Sequence, residues 1–395
     1  MFKRLKTLLT RRTLPEALHK MERCYTCERY TKDCCLDCKD QNTFLLRLAR
    51  GFCPVWETPA PVGFEASDRI NLTFYSVALL CGGAERWLVD LATNLDPKIF
   101  NICVAISEIT LCDEALLERV RSVETLVFGR ETCQKFMDTS DILITWDSHP
   151  KNKAKTSIYC SHGCDHNTDR VVRKYGNRKD YLFTAVSQAA AEPWLKQKPA
   201  ILYNGSDTER LKPVLGRKAT RESLGVVDDE FVVGYISRMD KGKNPHLVAE
   251  AAHFLRKQGY KAKALYVCEP NPRVEIKHEA LYRPRTEQIG DYLAAMDLFM
   301  LPSKSEAFSL AIIEAWLTKT PVLATMVGAI PELEDEYGTL VYSLEGDFKS
   351  RVQLAHDQVR RERTCIADAA YNMAIENFTT KAMVQRWTTM LESIA

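Results

Sequence analysis

The sequence predicts two doubly wound α/β domains in tandem, and three observations carry that prediction. Short apolar runs alternate with helix-spaced segments from Ile70 to Thr325. Most of those runs are near-continuous in Val, Ile, Leu and Phe, as strands buried on both faces are. A polar, charged stretch at residues 207–229, containing Pro213 and Gly225, divides the series in two. Alternation of this kind gives parallel sheets with helices on both faces. Ligands of such sheets bind beyond the carboxyl ends of the strands, so two sheets on one chain imply a cleft lined by the loops that follow strands.

Taken in order, residues 70–77 read as a strand, Cys81-Gly82-Gly83-Ala84 as a tight loop, and residues 85–95 as a helix. Trp87, Leu88, Leu91, Ala92 and Leu95 of that helix stand at helical spacing. Further strands are expected at 100–106, 124–128, 141–146, 156–160, 181–186 and 201–203, with helical or looped stretches between them. Residues 207–229 read as a linker with a short helix. The second half reads as strand 231–236, helix 244–258, strand 262–267, short strand 280–282 and helix 287–296. Strand 298–301, helix 308–317, strand 321–325 and a mostly helical tail over 347–395 complete it. The domains expected are a basic Cys-rich extension (1–65), a first α/β domain (66–210), a second (211–375) and a C-terminal helix (376–395) crossing back to the first.

Composition fits an ordinary globular protein: 395 residues, 46% hydrophobic and 27% charged. A net charge of +2 forces no partner class. No apolar run approaches the length of a membrane span. The basic N-terminus lacks the apolar core of a signal peptide, and its first 18 residues lack the Ser of a transit peptide. Eight of the 14 cysteines are scattered beyond residue 53, the pattern of buried thiols, which places the chain in a reducing cytosol. The sequence contains no Gly-x-Ser-x-Gly, no His-Glu-x-x-His and no Walker A lysine loop, which removes support from hydrolase, zinc peptidase and P-loop readings.

The chemistry is sought in the loops after strands. Ser305–Glu314 reads SEAFSLAIIE, directly after the strand at 298–301. On a helix starting at once, Glu306 and Glu314 would stand roughly 12 Å apart. They could then grip hydroxyls at opposite ends of a nucleotide sugar, with its diphosphate at the helix start. The spacing alone fits a solvated helix face equally. Gly82-Gly83 follows the first strand and opens a helix, so it is either an anion site or only a tight turn. Arg238 and Lys243 follow the strand at 231–236; both could face a diphosphate, or the loop is simply basic and solvated. His162 follows the strand at 156–160, in reach of a sugar hydroxyl or an acceptor, with His149 and His166 as polar alternatives. No Asp-x-Asp pair offers a metal to a nucleotide diphosphate, so cations and helix dipoles are expected to neutralise its charge.

In order along the chain, these segments resemble the retaining glycosyltransferases of the GT4 type, which have the two-domain GT-B fold. Gly82-Gly83-Ala84-Glu85-Arg86 resembles the family's GGxE signature. Asn204-Gly205-Ser206-Asp207, with Leu211-Lys212-Pro213 after it, resembles the family's NGVD segment and the F-x-P that accompanies it. Ser237-Arg238-Met239 with Lys243-Asn244, the Glu306–Glu314 pair, and Val327-Gly328-Ala329-Ile330-Pro331-Glu332 are similar to three more of its motifs. The resemblance covers residues 70–345. It implies that Arg238 and Lys243 bind the donor diphosphate, that Glu306 contacts the donor sugar and that Glu314 contacts the ribose. His162 would sit by sugar and acceptor, Gly83 would line the cleft from the acceptor side, and Phe308 and Ser309 would offer backbone N–H groups. Retention by front-face attack, assisted by the leaving phosphate, needs no protein nucleophile. The family's Gly-x-Gly after the second strand of the donor domain is replaced by Val267-Cys268-Glu269-Pro270-Asn271-Pro272. The stretch from there to the next strand is short, so one helix is expected to be reduced or missing. Arg283, in Tyr282-Arg283-Pro284, lies where the family frames the base.

The N-terminal extension is not part of that pattern. Cys24-x2-Cys27 and Cys35-x2-Cys38 suit tetrahedral Zn²⁺, although the gap between the pairs is shorter than usual. An iron–sulfur cluster, disulfides or metal-free thiols are the alternatives. Residues 1–23 carry seven Lys or Arg against two Glu, with Phe2, Leu5, Leu8 and Leu9 at helical spacing. Such a segment is a solvated helix, or it lies on an anionic membrane, or beside a zinc knuckle it holds nucleic acid.

The expectation is therefore a cytoplasmic enzyme, peripheral to a membrane or free, that moves a sugar from a UDP- or GDP-sugar to a hydroxyl. The acceptor would be a glycan, a lipid-linked sugar or a modified nucleobase, and catalysis would need no metal cofactor. The alternative is a transferase-like body without activity that binds nucleic acid or a partner through its extension. An epimerase or phosphorylase of similar shape is a third reading.

Overall fold

A computed structural model of the chain describes residues 63–64, 67–80, 82–164, 181–362 and 364–395. Cys24, Cys27, Cys35, Cys38 and His166 lie outside the described residues, as does nearly all of the 1–65 extension.

The first sheet contains β1 (Ile70–Ser76), β2 (Phe100–Ile106), β3 (Thr125–Phe128), β4 (Ile142–Thr145), β5 (Thr156–Ser161), β6 (Tyr181–Ala185) and β7 (Ala200–Ile201). Their order is β3-β2-β1-β4-β5-β6-β7. The pairs β1–β2, β1–β4, β2–β3, β4–β5 and β6–β7 are parallel. This order reverses direction between β1 and β4, the switch point of doubly wound sheets. β4 is buried at every position, which explains its unbroken Ile-Leu-Ile. α1 (Gly83–Ala92) buries Trp87, Leu88 and Leu91, the helical-period residues expected to do so. α2 (Glu114–Val120) starts at Asp113, whose side chain accepts from Leu116 N. α3 (Arg130–Thr139) lays Cys133, Phe136 and Met137 on a core shared with Cys103, Ala105 and Leu143.

The second sheet contains β8 (Phe231–Tyr235), β9 (Ala262–Val267), β10 (Leu281–Arg283), β11 (Leu298–Leu301), β12 (Val322–Ala324) and β13 (Tyr342–Ser343), ordered β10-β9-β8-β11-β12-β13. Every neighbouring pair is parallel. Its switch point lies between β8 and β11. A short helix, α4 (Gln188–Ala191), precedes β7; its N-cap Ser187 accepts from Ala190 N. α5 (Gly216–Ser223) occupies the stretch read as a linker and is anchored rather than loose. Arg221 on it is 2% exposed, and its guanidinium reaches Asp297 Oδ2, Ala295 O and Val227 O. α6 (His246–Lys257) buries Val248, Ala249, Ala251, Ala252 and Leu255. α7 (Gly290–Ala295), α8 (Leu310–Leu317), α9 (Ile330–Tyr337), α10 (Phe348–Arg361), α11 (Thr364–Asn377) and α12 (Thr380–Ile394) complete the fold.

Two differences from the sequence reading have local causes. The helix expected from residue 308 begins at Leu310, because Ser309 is left-handed (φ 69°, ψ 82°) and cannot continue an α-helix backwards. Glu306 thus stands in the loop before α8, and the 12 Å helical separation from Glu314 does not apply. Residues 330–337 are helical, with Pro331 in the first turn, where its missing N–H costs nothing. Residues 268–280, where a helix was expected to be reduced or missing, hold turns and coil, in line with that expectation.

The chain divides into two compact units. One takes the described residues up to Cys160 with 181–182 and 390–395; the other takes 161–164 and 183–389. Among the described residues, no helix is long and apolar enough to cross a membrane.

Candidate active site

The site is built in the second unit, at the carboxyl edge of the β8–β11 switch point. The loop after β8 forms a 3₁₀ turn at Lys241–Lys243 and closes at Asn244, which is left-handed (φ 48°). Asn is one of the few residues that tolerates this conformation. Two hydrogen bonds lace this loop to the one after β11: Asn244 Nδ2 donates to Pro302 O at 2.9 Å, and Lys304 N donates to Gly242 O at 2.9 Å.

Between the laced loops, Lys243 Nζ lies 2.7 Å from Glu306 Oε1, with their side chains 17% and 11% exposed. Ser303 Oγ donates to the same oxygen at 2.7 Å. Ser303 is itself held, its carbonyl accepting from Thr325 Oγ1 at 2.5 Å. Gly328 packs against the other side of the loop. It adopts φ 66°, and a Cβ there would lie 2.7 Å from Glu306 O. Glu306 is therefore a carboxylate fixed by a cation, a hydroxyl and a glycine-only backbone approach.

Two of the other expected residues also stand at this edge. Ser309 caps α8 by position only, with no side-chain bond to the helix start. The first N–H groups of an eight-residue helix therefore lack that cap, an arrangement suited to an anion. Phe308 is buried and stacks on Tyr203 at 5.8 Å.

Arg238 belongs to the same loop but is 69% exposed, 3.7 Å from Asp240. It stands on the rim, where an extended guanidinium can close on a ligand without first breaking a strong pair. Glu314 is 3% exposed, on the inner face of α8, where it pairs with Arg210 and accepts from Ser206 Oγ at 3.3 Å.

His162 follows β5 and is half-buried; burial pushes its pKa down to about 3. It is then neutral at pH 7 and can share a hydrogen bond with a hydroxyl but carries no charge. A depressed histidine contributes stability that is complete above its unfolded pKa, near 6.5, and lost as pH falls toward 3. Unfolding titrations of the wild type and His162→Gln between pH 7 and 5 should therefore diverge, the wild type losing stability more steeply. Parallel curves would remove this assignment.

The Arg283 guanidinium, at the carboxyl end of β10, donates to Tyr282 O at 2.8 Å and to Ser223 O at 3.2 Å, at the end of α5. Gly83, in the first unit, opens α1 and is exposed. A Cβ on its neighbour Gly82 would lie 2.3 Å from Glu85 Oε2, so a larger residue there would have to displace the buried Glu85 carboxylate. His149 is buried and stacked on Tyr159 at 4.3 Å, a packing role.

Several side chains at this edge were not singled out from the sequence. Cys164 Sγ lies 3.0 Å from Ser305 Oγ and from Glu306 O. Ser187 Oγ donates to Ala307 O at 2.6 Å, and Glu332 Oε2 accepts from Gln188 N at 2.8 Å. Burial pushes the Glu332 carboxyl up. These contacts join residues over 100 positions apart. The motifs at 305–314 and 327–332 marked one partner of each contact; nothing in the sequence marked Cys164, Ser187 or Gln188.

A pocket of about 660 Å³ lies at the opposite, amino edge of the second sheet, lined by residues including Asp229, Lys261, His356 and Arg360. It takes in none of the residues above. The carboxyl ends of α6 and α10 approach it, the wrong dipole ends for a diphosphate. Among the described residues, no group of three or more His, Cys, Asp or Glu is disposed to hold a metal ion.

Residues 230–354 match the family described as "Glycosyl transferases group 1". A "D-inositol 3-phosphate glycosyltransferase" of Streptomyces scabiei is 29% identical over 183 residues, 41% of this chain and 40% of that protein. A "Putative teichuronic acid biosynthesis glycosyltransferase TuaC" of Bacillus subtilis is 26% identical over 168 residues, covering 41% and 42%. The chain thus spans about two fifths of the length of the curated relatives it matches. Among solved structures, Anabaena HepE in complex with UDP-glucose superposes with TM-score 0.65 at 20% identity, covering 82% of this chain and 99% of that one. WaaG, "a glycosyltransferase involved in lipopolysaccharide biosynthesis", gives 0.62 at 14% identity, covering 81% and 99%. The fold is GT-B, with two parallel-sheet α/β halves.

Proposed function

From the premise that residues 230–354 form a group 1 glycosyltransferase domain, we propose that this chain transfers a sugar from a nucleotide-sugar donor to a hydroxyl acceptor with retention. The observation that carries the proposal is the Lys243–Glu306 pair, 2.7 Å apart beside the start of α8. A donor diphosphate laid at that helix start meets Lys243 from one loop and can draw in Arg238 from the rim. Glu306, fixed by Ser303, then faces the hydroxyls of the donor sugar. The bond between the anomeric carbon and the leaving phosphate oxygen breaks as the acceptor oxygen adds from the same face. The acceptor proton passes to that phosphate oxygen, so no protein nucleophile is required. The charge gathering on the departing diphosphate is met by Lys243, Arg238 and the helix dipole, the term that dominates such catalysis. His162, neutral, serves as a hydrogen-bond partner for sugar or acceptor.

The donor nucleotide is proposed to be UDP or GDP. HepE was solved with UDP-glucose, which supports a UDP-sugar donor, and the names of the relatives, a D-inositol 3-phosphate glycosyltransferase and a teichuronic acid biosynthesis glycosyltransferase, support a polyol or glycan hydroxyl as acceptor. Thermal unfolding against UDP, GDP, ADP, CMP and dTDP tests the premise. A nucleotide at about 100 times its dissociation constant should add about 2.7 kcal/mol, with one nucleotide standing out. No shift with any of them, together with salt-sensitive binding of nucleic acid, would replace this reading by that of an inactive binding protein.

A further inference from the structure

We propose that Arg210 is a positioning residue that orients Glu314 toward the donor ribose and so sets the preference for a ribonucleotide donor; this rests on the function proposed above. Arg210 sits in the loop between β7 and α5, four residues after Ser206. Its Nη2 pairs with Glu314 Oε1 and meets Ser206 Oγ at 3.3 Å, and its Nη1 donates to Glu287 O at 3.3 Å. Ser206 Oγ closes the triangle with Glu314 Oε1 at 3.3 Å. The two charged side chains are 6% and 5% exposed.

The frame around the triangle is rigid. Ser206 N donates to Phe378 O at 2.9 Å, and Thr380 N donates back to Ser206 O at 3.0 Å. A Cβ on Gly205 would lie 2.1 Å from Thr379 O, so this segment and the chain joining α11 to α12 meet backbone to backbone. Glu314 stands on the second turn of α8, whose first turn is the proposed diphosphate site. A carboxylate one turn beyond a bound diphosphate is at the distance of the ribose that the diphosphate carries. A flexible Glu there would lose most of its binding energy to ordering. Clamping one oxygen with a guanidinium removes those rotamers in advance and fixes where the other oxygen goes. An Arg fork does this and a Lys does not, because it holds the carboxylate, Ser206 and the Glu287 carbonyl at fixed angles. Arg210 is assigned no contact with the donor; it acts through Glu314.

The test compares a ribonucleotide with its 2′,3′-dideoxy analogue by calorimetry, using UDP with dideoxy-UDP and GDP with dideoxy-GDP. The wild type should prefer the ribonucleotide of one pair by roughly 10- to 100-fold, the worth of a hydrogen bond to a charged group. Arg210→Met should bring the ratio to about 1 while dideoxynucleotide affinity stays near the wild-type value, because only the positioned carboxylate is lost. Arg210→Lys should fall between them. A merely structural role would weaken both ligands alike and leave the ratio unchanged. Where Arg210→Met does not fold, Arg210→Lys decides: a wild-type ratio in the folded protein overturns the proposal. A wild type that binds a nucleotide without ribose preference also overturns it, leaving the transferase reading standing. A wild type that binds neither nucleotide overturns both.

Discussion

Lys243→Ala is expected to cut sugar transfer by about 10²–10³-fold with the fold retained. The ammonium of Lys243 is the cation at this edge that is both partly buried and held against Glu306, and Arg238 on the rim cannot take its place. Removing it deletes the charge proposed to meet the departing diphosphate. It also leaves Glu306, 11% exposed, facing that diphosphate without a counter-charge. Both effects grow as the bond to the leaving group lengthens, so the loss should fall chiefly on kcat rather than KM. Lys243→Arg should not restore activity, because a planar fork does not reproduce the single-point contact that the ammonium makes with Glu306 Oε1. Steady-state transfer, with circular dichroism to confirm folding, checks the prediction. A folded Lys243→Ala protein with wild-type kcat and KM would remove Lys243 from the mechanism.

Gly328→Ala is expected to lose activity without touching any polar group of the site. Two costs separate cleanly here. An alanine at φ 66° pays on the order of 1–2 kcal/mol for the left-handed backbone alone. Its Cβ would also stand 2.7 Å from Glu306 O, a backbone atom that moves only if the whole loop shifts. Gly328→Asn tolerates the dihedral but keeps the overlap. If overlap governs, both variants lose transfer and only alanine adds the full loss of stability. Transfer rates and urea midpoints of the two variants, measured side by side, decide this. Wild-type rates in both would show that the loop carrying Glu306 need not be fixed.

Where hydrophobic period alone decides the structure, the sequence was legible. The strands expected at 100–106, 262–267 and 298–301 are β2, β9 and β11 to the residue, since each is an apolar run buried by helices on both sides. The two-sheet architecture followed from the alternation of such runs. What escaped was set by single backbone conformations and distant contacts. Ser309 gives no compositional sign that it is left-handed, so α8 was read two residues too long. β13 has two residues and pairs only through β12, too short for any period to register. Lys243, Glu306, Ser309 and Phe308 were found as motif residues, and the structure brings them to one edge. Arg283 was named because it lies where the family frames the base, and its guanidinium donates to the backbone at Ser223, a contact 60 residues back in the chain and outside any local pattern. Arg210 was passed over because its partner lies 104 residues away, a separation that no local pattern records.

The lacing of the loops after β8 and β11 also bears on how the protein comes into being. Gly242 and Lys304 are 62 residues apart, and from the chain between them β9 must be laid beside β8 and β10 beside β9. Gly328, which locks Glu306 from behind, comes later still. Long-range closures of this kind form slowly, because their loop entropy is lost before the contacts repay it. On the proposed function, a nascent chain therefore carries Lys243 well before the loops that would hold a donor are laced. Nucleotide affinity becomes a late, all-or-none reporter of maturation. An immobilised nucleotide would sort finished molecules from those arrested with the second sheet half built.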